Sequence, residues 1–282
     1  MLPGEGRAGG NTMSTRWVVI HDGPVSTVTM LGNTDRRPPT LDLEDFDRFD
    51  ALLAELADRA QGNTGAGRLR LLVLKSRSPI AFSAGADIAV LEGINASTIA
   101  GWIQRGHQSL ERLECFPAPT VAVLEAPALG GGLELALACD HIIAVPDATV
   151  GLTEARLGFV PGWGGTRRLS RRVGHSRAMQ LIARGEILSA ERAQTLGIVD
   201  YVGSTTELER WVNDYQSVMA ETSGFAVARA KEILVGLGHD QRDQATQLET
   251  TASMALFRGG DTTERLSRFL AERQARKSAG KQ

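Results

Sequence analysis

Ala128-Leu129-Gly130-Gly131-Gly132-Leu133-Glu134 sets three bare backbone positions directly ahead of Leu133 to Cys139, an apolar run that reads as a helix. Without a Cβ, a glycine backbone lets a bound group come close. The first turn of a helix adds unpaired N–H groups and a partial positive charge, which suit a developing negative charge. Glu134 falls in that first turn. A second carboxylate, Glu154, follows the strand-like Thr149 to Leu152 and can converge on the same place. Amide donors beside two carboxylates can stabilise an enolate while protons move, so the stretch predicts an enzyme.

Outward from this centre, apolar strands alternate with helical patterns. Trp17 to His21 and Ser26 to Leu31 read as strands around Asp22-Gly23-Pro24, and Asp42 begins an amphipathic helix whose apolar stripe is Phe46, Phe49, Leu52, Leu53 and Leu56. A strand over Leu69 to Leu74 leads into the small-residue loop Ala81-Phe-Ser-Ala-Gly-Ala-Asp-Ile88. A helix from about Ser97 to Cys115 stops at Phe116-Pro-Ala-Pro119, and Thr120 to Leu124 is a strand. His141 to Val145 and Val199 to Val202 are further strands. Ser176 and Ser189 are expected N-caps, with Gly185 and Gly197 as helix stops. From Glu207 onward the pattern is helical. This order predicts an α/β core followed by a helical appendage.

Composition excludes several functions. With 42% hydrophobic and 23% charged residues, the 282-residue chain has the make-up of a water-soluble protein with a sizeable core. A net charge of −2 argues against a dominant nucleic-acid surface. Arg167, Arg168, Arg171 and Arg172 are expected to form a solvated face or to hold phosphates. The five histidines show no metal-ligand spacing, so no metal is expected. Cys115 and Cys139 read as buried small hydrophobes. No run is long enough to span a membrane, and Met1 to Thr15 lacks a signal-peptide core. Residues 1–15 are expected to be a disordered tail, or an extension ahead of a start at Met13, in a cytoplasmic protein. Aromatics at 5% leave few platforms for a sugar, against a two-carboxylate glycosidase.

Four linked segments then resemble one family: Ala81 to Ile88, Ala128 to Glu134, Thr153-Glu154, and Leu157-Gly-Phe-Val-Pro-Gly-Trp-Gly-Gly-Thr-Arg-Arg-Leu169. In this order they resemble the signatures of the enoyl-CoA hydratase/isomerase (crotonase) superfamily, from about Val18 to Arg276. The resemblance implies a spiral of repeated ββα units over 16–204. It also implies a C-terminal α-helical trimerisation region over 205–282, giving a homotrimer or homohexamer. It assigns the N–H groups of Ala86 and Gly131 to an oxyanion hole, and Glu134 and Glu154 to catalysis. Ala84, Asp87, Ile88, Gly130, Gly162 and Trp163 would contact substrate. The implied reaction adds water to a 2-enoyl-CoA without a cofactor, coenzyme A being part of the substrate. Glu134 would activate the water and Glu154 protonate the α-carbon, with the reverse division left open. The alternative is a Δ3-Δ2-enoyl-CoA isomerase or another acyl-CoA-processing crotonase; retaining both glutamates favours the hydratase. An RNA-binding member would need a lysine-rich helix, whereas Asp42 to Ala60 is acidic and lysine-free.

Departures from the pattern are equally legible. Gly32 to Leu41 differs from the family's usual Asn-Arg-Pro…Asn-Ala-Leu near the CoA adenine site. Glu125-Ala126 replaces the usual Asn-Gly, so Glu125 is either a third acid near the site or a solvent-facing turn residue. Trp163 stands where a small residue is common, and either narrows the acyl pocket or packs in the core. The last helix, from Thr263 to Arg276, carries Phe269 and a basic end that could cover CoA phosphates.

Overall fold

The computed structural model describes residues 16–32, 37–62, 68–87, 90, 93–236, 239–259 and 261–279. The expected tail, Ile88, and part of the departing segment (33–36) lie outside them. Strands β1 (Arg16–Asp22) and β2 (Val25–Leu31) form an antiparallel hairpin. To it are added, in parallel, β3 (Leu71–Ser76), β4 (Thr120–Leu124), β6 (His141–Ala144) and β9 (Tyr201–Val202), in the order β1-β2-β3-β4-β6-β9. Parallel strands need cover on both faces, which explains why β3 and β4 are apolar on successive residues rather than alternate ones. Leu72, Leu74, Ala122 and Leu124 enter the main core. On the opposite face Leu71, Val73, Val121, Val123 and Ile143 pack against Leu208 and Trp211 of α7 (Thr205–Glu221).

Helix α1 (Leu43–Gln61) starts where the sequence predicts. The Asp42 side chain accepts from Asp45 N, and the Asp45 side chain accepts from Asp42 N. Its apolar stripe buries Phe46, Phe49, Leu53 and Leu56, each contributing about 1.5–3 kcal/mol of transfer free energy. Helix α2 (Ile99–Glu114) buries Trp102, Ile103, Leu110 and Leu113 against α1 and the sheet. A second, smaller sheet of β5 (Ala128–Leu129), β7 (Thr149–Gly151) and β8 (Leu188–Ser189) leads from β5 straight into α3 (Gly131–Leu137). After α4 (Gly165–Val173), α5 (His175–Arg184) and α6 (Ala190–Thr195), β9 is the last strand among the described residues. Helices α7, α8 (Gly224–Gly236), α9 (His239–Gly259) and α10 (Asp261–Ala279) complete the mixed α/β architecture. Helix α9 packs on α2, and α10 packs against the 3-10 turn Glu154–Leu157.

Three expectations are corrected. Ser189 caps α6 by accepting from Arg192 N, but Ser176 caps nothing. The chain reverses at Gly174, with φ 80°, so α5 begins at His175 and Ser176 already lies inside its first turn. Cys139 is buried, whereas Cys115 is exposed, because Phe116 turns into the core in its place. The arginine cluster is not one solvated face: Arg167 and Arg168 are buried and Arg172 is partly buried, while Arg171 stays exposed. Arg167, Arg168 and Arg171 converge on Glu114, and Arg172 pairs with Asp200. Burial alone would raise the Glu114 carboxyl, but Arg168 and Arg167 outweigh it and hold it at about 2. These charges tie α4 to the end of α2, and so position the loop that precedes α4.

Candidate active site

Two small-residue loops meet edge to edge. Ser83 bridges to Ala128 and Leu41 to Ala86 in parallel register, and Leu129 N donates to Ser83 O at 3.2 Å. The fit depends on missing side chains. A Cβ on Gly85 would stand 2.5 Å from Gly131 N, and one on Gly132 would stand 2.1 Å from the Ser83 carbonyl oxygen. Gly130 enters α3 with φ 54°, a conformation L side chains rarely adopt. Ala86 and the first helical residue, Gly131, thereby reach one cavity. Among the described residues neither of their amides donates a hydrogen bond within the protein. Two such N–H groups can hold one oxygen as negative charge develops on it.

Both predicted glutamates line this cavity of about 570 Å³, together with Ala84, Gly130, Gly162 and Trp163. Glu134 is 2% exposed, and its Oε1 accepts from Trp163 N and Gly165 N, each at 2.7 Å. Glu154 begins the 3-10 turn after β7. The residue is half-buried, but both carboxylate oxygens are buried without a hydrogen-bond partner among the described residues. Glu154 lies against the bare face of Gly130, where a Cβ would come within 3.3 Å of its Oε1.

Burial raises both carboxyls. For Glu134, desolvation leads, the charges of Glu154 and Glu249 add to it, and the amides of Gly165 and Trp163 oppose it. Desolvation pushes Glu154 up to about 7. Donors favour the ionised form of a carboxylate, so the amides of Trp163 and Gly165 stabilise charge on Glu134, whereas at Glu154 only its own backbone N–H opposes the desolvation.

The fold also places the remaining expected residues. Asp87 is not in the cavity wall; its Oδ2 lies 3.5 Å from Thr40 Oγ1. Glu125 is an exposed turn residue. Trp163 meets both of its readings. Its ring lines the cavity, yet it is also wedged where a Cβ on either Gly106 or Gly131 would approach within 2.2 Å. It packs edge-on to Phe46 with ring centroids 4.9 Å apart, and lies 5.6 Å from Trp102.

An acid that acts on this pair from outside the cavity wall is Glu249 of α9, which the sequence reading missed. It is 4% exposed. Its Oε2 lies 2.7 Å from His107 Nε2 and accepts from Gly164 N at 3.2 Å, and its Oε1 accepts from Thr166 Oγ1. Consecutive amides of one loop therefore bridge two carboxylates, Trp163 and Gly165 to Glu134, and Gly164 to Glu249. The available signal was His107, a polar residue on the apolar face of α2 between Ile103 and Leu110 that requires a buried partner. Among the described residues no group of three His, Cys, Asp or Glu could hold a metal ion. No helix among them is long and apolar enough to cross a membrane.

Comparison with known proteins identifies the family. The profile of the enoyl-CoA hydratase/isomerase family matches residues 50–278. A probable enoyl-CoA hydratase of Bacillus subtilis (strain 168) is 37% identical over 196 residues, covering 68% of this chain and 76% of its own. The human mitochondrial enoyl-CoA hydratase domain-containing protein 2 is 31% identical over 252 residues, or 89% and 82% of the two chains. A crystal structure of an enoyl-CoA hydratase from Bacillus anthracis superposes with a TM-score of 0.71 at 29% identity, covering 92% of this chain and 96% of that one. The chain belongs to the enoyl-CoA hydratase/isomerase family and is an enzyme of the crotonase superfamily.

Proposed function

We propose that the protein is an enoyl-CoA hydratase, adding water across the double bond of a 2-enoyl-CoA to give the 3-hydroxyacyl-CoA. The observation that carries this reading is the asymmetric pair of buried carboxylates in one cavity, Glu134 held by two amides of other residues and Glu154 by no other described residue. In the proposed reaction the thioester oxygen sits between Ala86 N and Gly131 N. Glu134, as carboxylate, takes a proton from water while the water oxygen bonds to the β-carbon. The electron pair of the double bond moves toward the carbonyl, and the two amides stabilise the resulting enolate. Glu154, as the neutral acid, delivers a proton to the α-carbon. Proton return from Glu134 to Glu154, through solvent or product release, resets the pair.

No cofactor enters this scheme, coenzyme A being part of the substrate. Assembly as a homotrimer or homohexamer belongs to the same proposal. The exposed Phe225, Ile233 and Leu234 on α8 support it, and analytical ultracentrifugation tests it.

Crotonyl-CoA and but-3-enoyl-CoA separate the readings. A hydratase converts the first to 3-hydroxybutyryl-CoA, whereas an isomerase converts the second to crotonyl-CoA without adding water. Glu134→Gln and Glu154→Gln should each lower hydration by ~10²–10⁴-fold. Near wild-type rates in both variants would exclude the mechanism.

A further inference from the structure

A serine or threonine in a helix commonly satisfies its hydroxyl at the carbonyl one turn back. Ser217, Thr251 and Ser278 do so, donating to the carbonyls of Asn213, Gln247 and Gln274 at 2.9, 2.8 and 3.1 Å. Ser253 of α9 behaves differently. It is 1% exposed, its Oγ has no hydrogen-bond partner among the described residues, and it stands in the wall of the active-site cavity.

Its place in the fold indicates which part of a ligand it would meet. Ser253 lies one turn beyond Glu249 on α9, the helix that packs on α2. It shares the inner wall with the buried Ile99, Trp102 and Ile103 of α2, while the exposed Arg268 and Glu272 of α10 mark the open side. A purely hydrocarbon acyl tail would leave the buried hydroxyl unsatisfied in an apolar wall, an unfavourable arrangement. An oxygen on the tail would satisfy it.

The surrounding charges restrict what that oxygen can be. Glu134 and Glu154 line the same cavity, and Glu249 stands one turn before Ser253 on α9 with a charge that reaches both. Of the neighbouring bases, His107 is paired with Glu249, and Arg168 with Glu114 and the Trp163 carbonyl. The arginines that line the cavity, Arg156, Arg265 and Arg268, are exposed or half-buried rather than buried like Ser253, so a carboxylate held at the buried hydroxyl is disfavoured and a neutral group fits it better.

We propose that Ser253 is a specificity-determining residue, and that the preferred substrates are short 2-enoyl thioesters with a neutral oxygen, a hydroxyl or a carbonyl, at the far end of the acyl group. This rests on the hydratase reading for the reaction, but the subsite can be tested apart from it. The experiment compares kcat/KM for 4-hydroxybut-2-enoyl-CoA and 5-hydroxypent-2-enoyl-CoA with their isosteres pent-2-enoyl-CoA and hex-2-enoyl-CoA, and with the carboxylate-bearing glutaconyl-CoA. The wild type should favour at least one hydroxylated substrate over its isostere by ~10-fold or more, and Ser253→Ala should erase that preference while leaving the hydrocarbon substrates within ~2-fold.

Equal use of the pairs by the wild type, a preference for glutaconyl-CoA, or a parallel loss on every substrate in the variant would overturn the proposal. If no enoyl thioester is hydrated, the hydratase reading fails. Calorimetry with the corresponding saturated hydroxyacyl- and acyl-CoA thioesters then decides the subsite. Tighter hydroxyacyl binding that Ser253→Ala abolishes supports it, and equal affinity overturns it.

Discussion

Glu154→Gln should make the protein more stable at alkaline pH while removing most of its activity. The carboxyl of Glu154 rises from an ordinary value of 4.5 to about 7, because desolvation by burial outweighs the hydrogen bond from its own backbone N–H and the charge of Glu249 adds to it. A folded-state value above the unfolded one means that the protonated group favours folding. That contribution is fully present below about pH 4.5 and is lost as pH rises through about 7. At about 1.4 kcal/mol for each pH unit, the ionised carboxylate costs about 3 kcal/mol of stability above pH 8. An unpaired glutamine amide in the same place also lies unsatisfied, so the net gain should be about 1–2 kcal/mol. For a chain of this size that raises Tm by a few degrees, at ~2–4 °C per kcal/mol. Urea unfolding of both proteins at pH 5 and pH 8.5, beside a crotonyl-CoA hydration assay, measures the two effects together. A variant that gains nothing at pH 8.5, or gains as much at pH 5, would show that the carboxylate is not desolvated as the structure has it.

Gly132→Ala should lower kcat by ~10²–10³-fold, the scale of losing one oxyanion donor, because its Cβ would strike the Ser83 carbonyl oxygen and part the two loops; circular dichroism should show the fold retained. Glu114→Gln removes the carboxylate shared by Arg167, Arg168 and Arg171, and should cost about 3–5 kcal/mol of stability by chemical denaturation. Glu249→Gln removes a charge that raises both Glu134 and Glu154. Ionisation of Glu154 then becomes easier, so the alkaline limb of the kcat/KM profile should move to lower pH, and an unmoved limb would mean that this charge does not reach the pair.

Local chemistry accounts for much of the fold. Asp42 and Asp45 cap α1 within four residues, and the Phe46–Phe49–Leu53–Leu56 stripe declares the buried face without help from distant contacts. The unbroken apolar run of Thr120 to Leu124 reads as a parallel strand because no polar residue alternates to face water. Signals failed where a neighbour distant in sequence decides the outcome. The arginines after Gly165 look like a solvent face by composition, and Glu114 at the end of α2 makes Arg167 and Arg168 a buried lock. Ser176 resembles a cap, but the backbone turn at Gly174 takes the helix start for His175.

The candidate site divides in the same way. Three glycines before an apolar run, with Glu134 and Glu154 at their spacings, were enough by themselves to point to amide donors beside two acids, since backbone access and helix polarity follow from local sequence. The tertiary structure alone decided which donors face which acid. Trp163 N and Gly165 N turn to Glu134, Gly164 N turns to Glu249, and Glu154 is left with none from any other described residue. Glu249 and Ser253 carry no local mark among the polar residues of α9. They join the site because that helix packs across α2, and burial away from water is a property of the packed chain rather than of any short stretch of it.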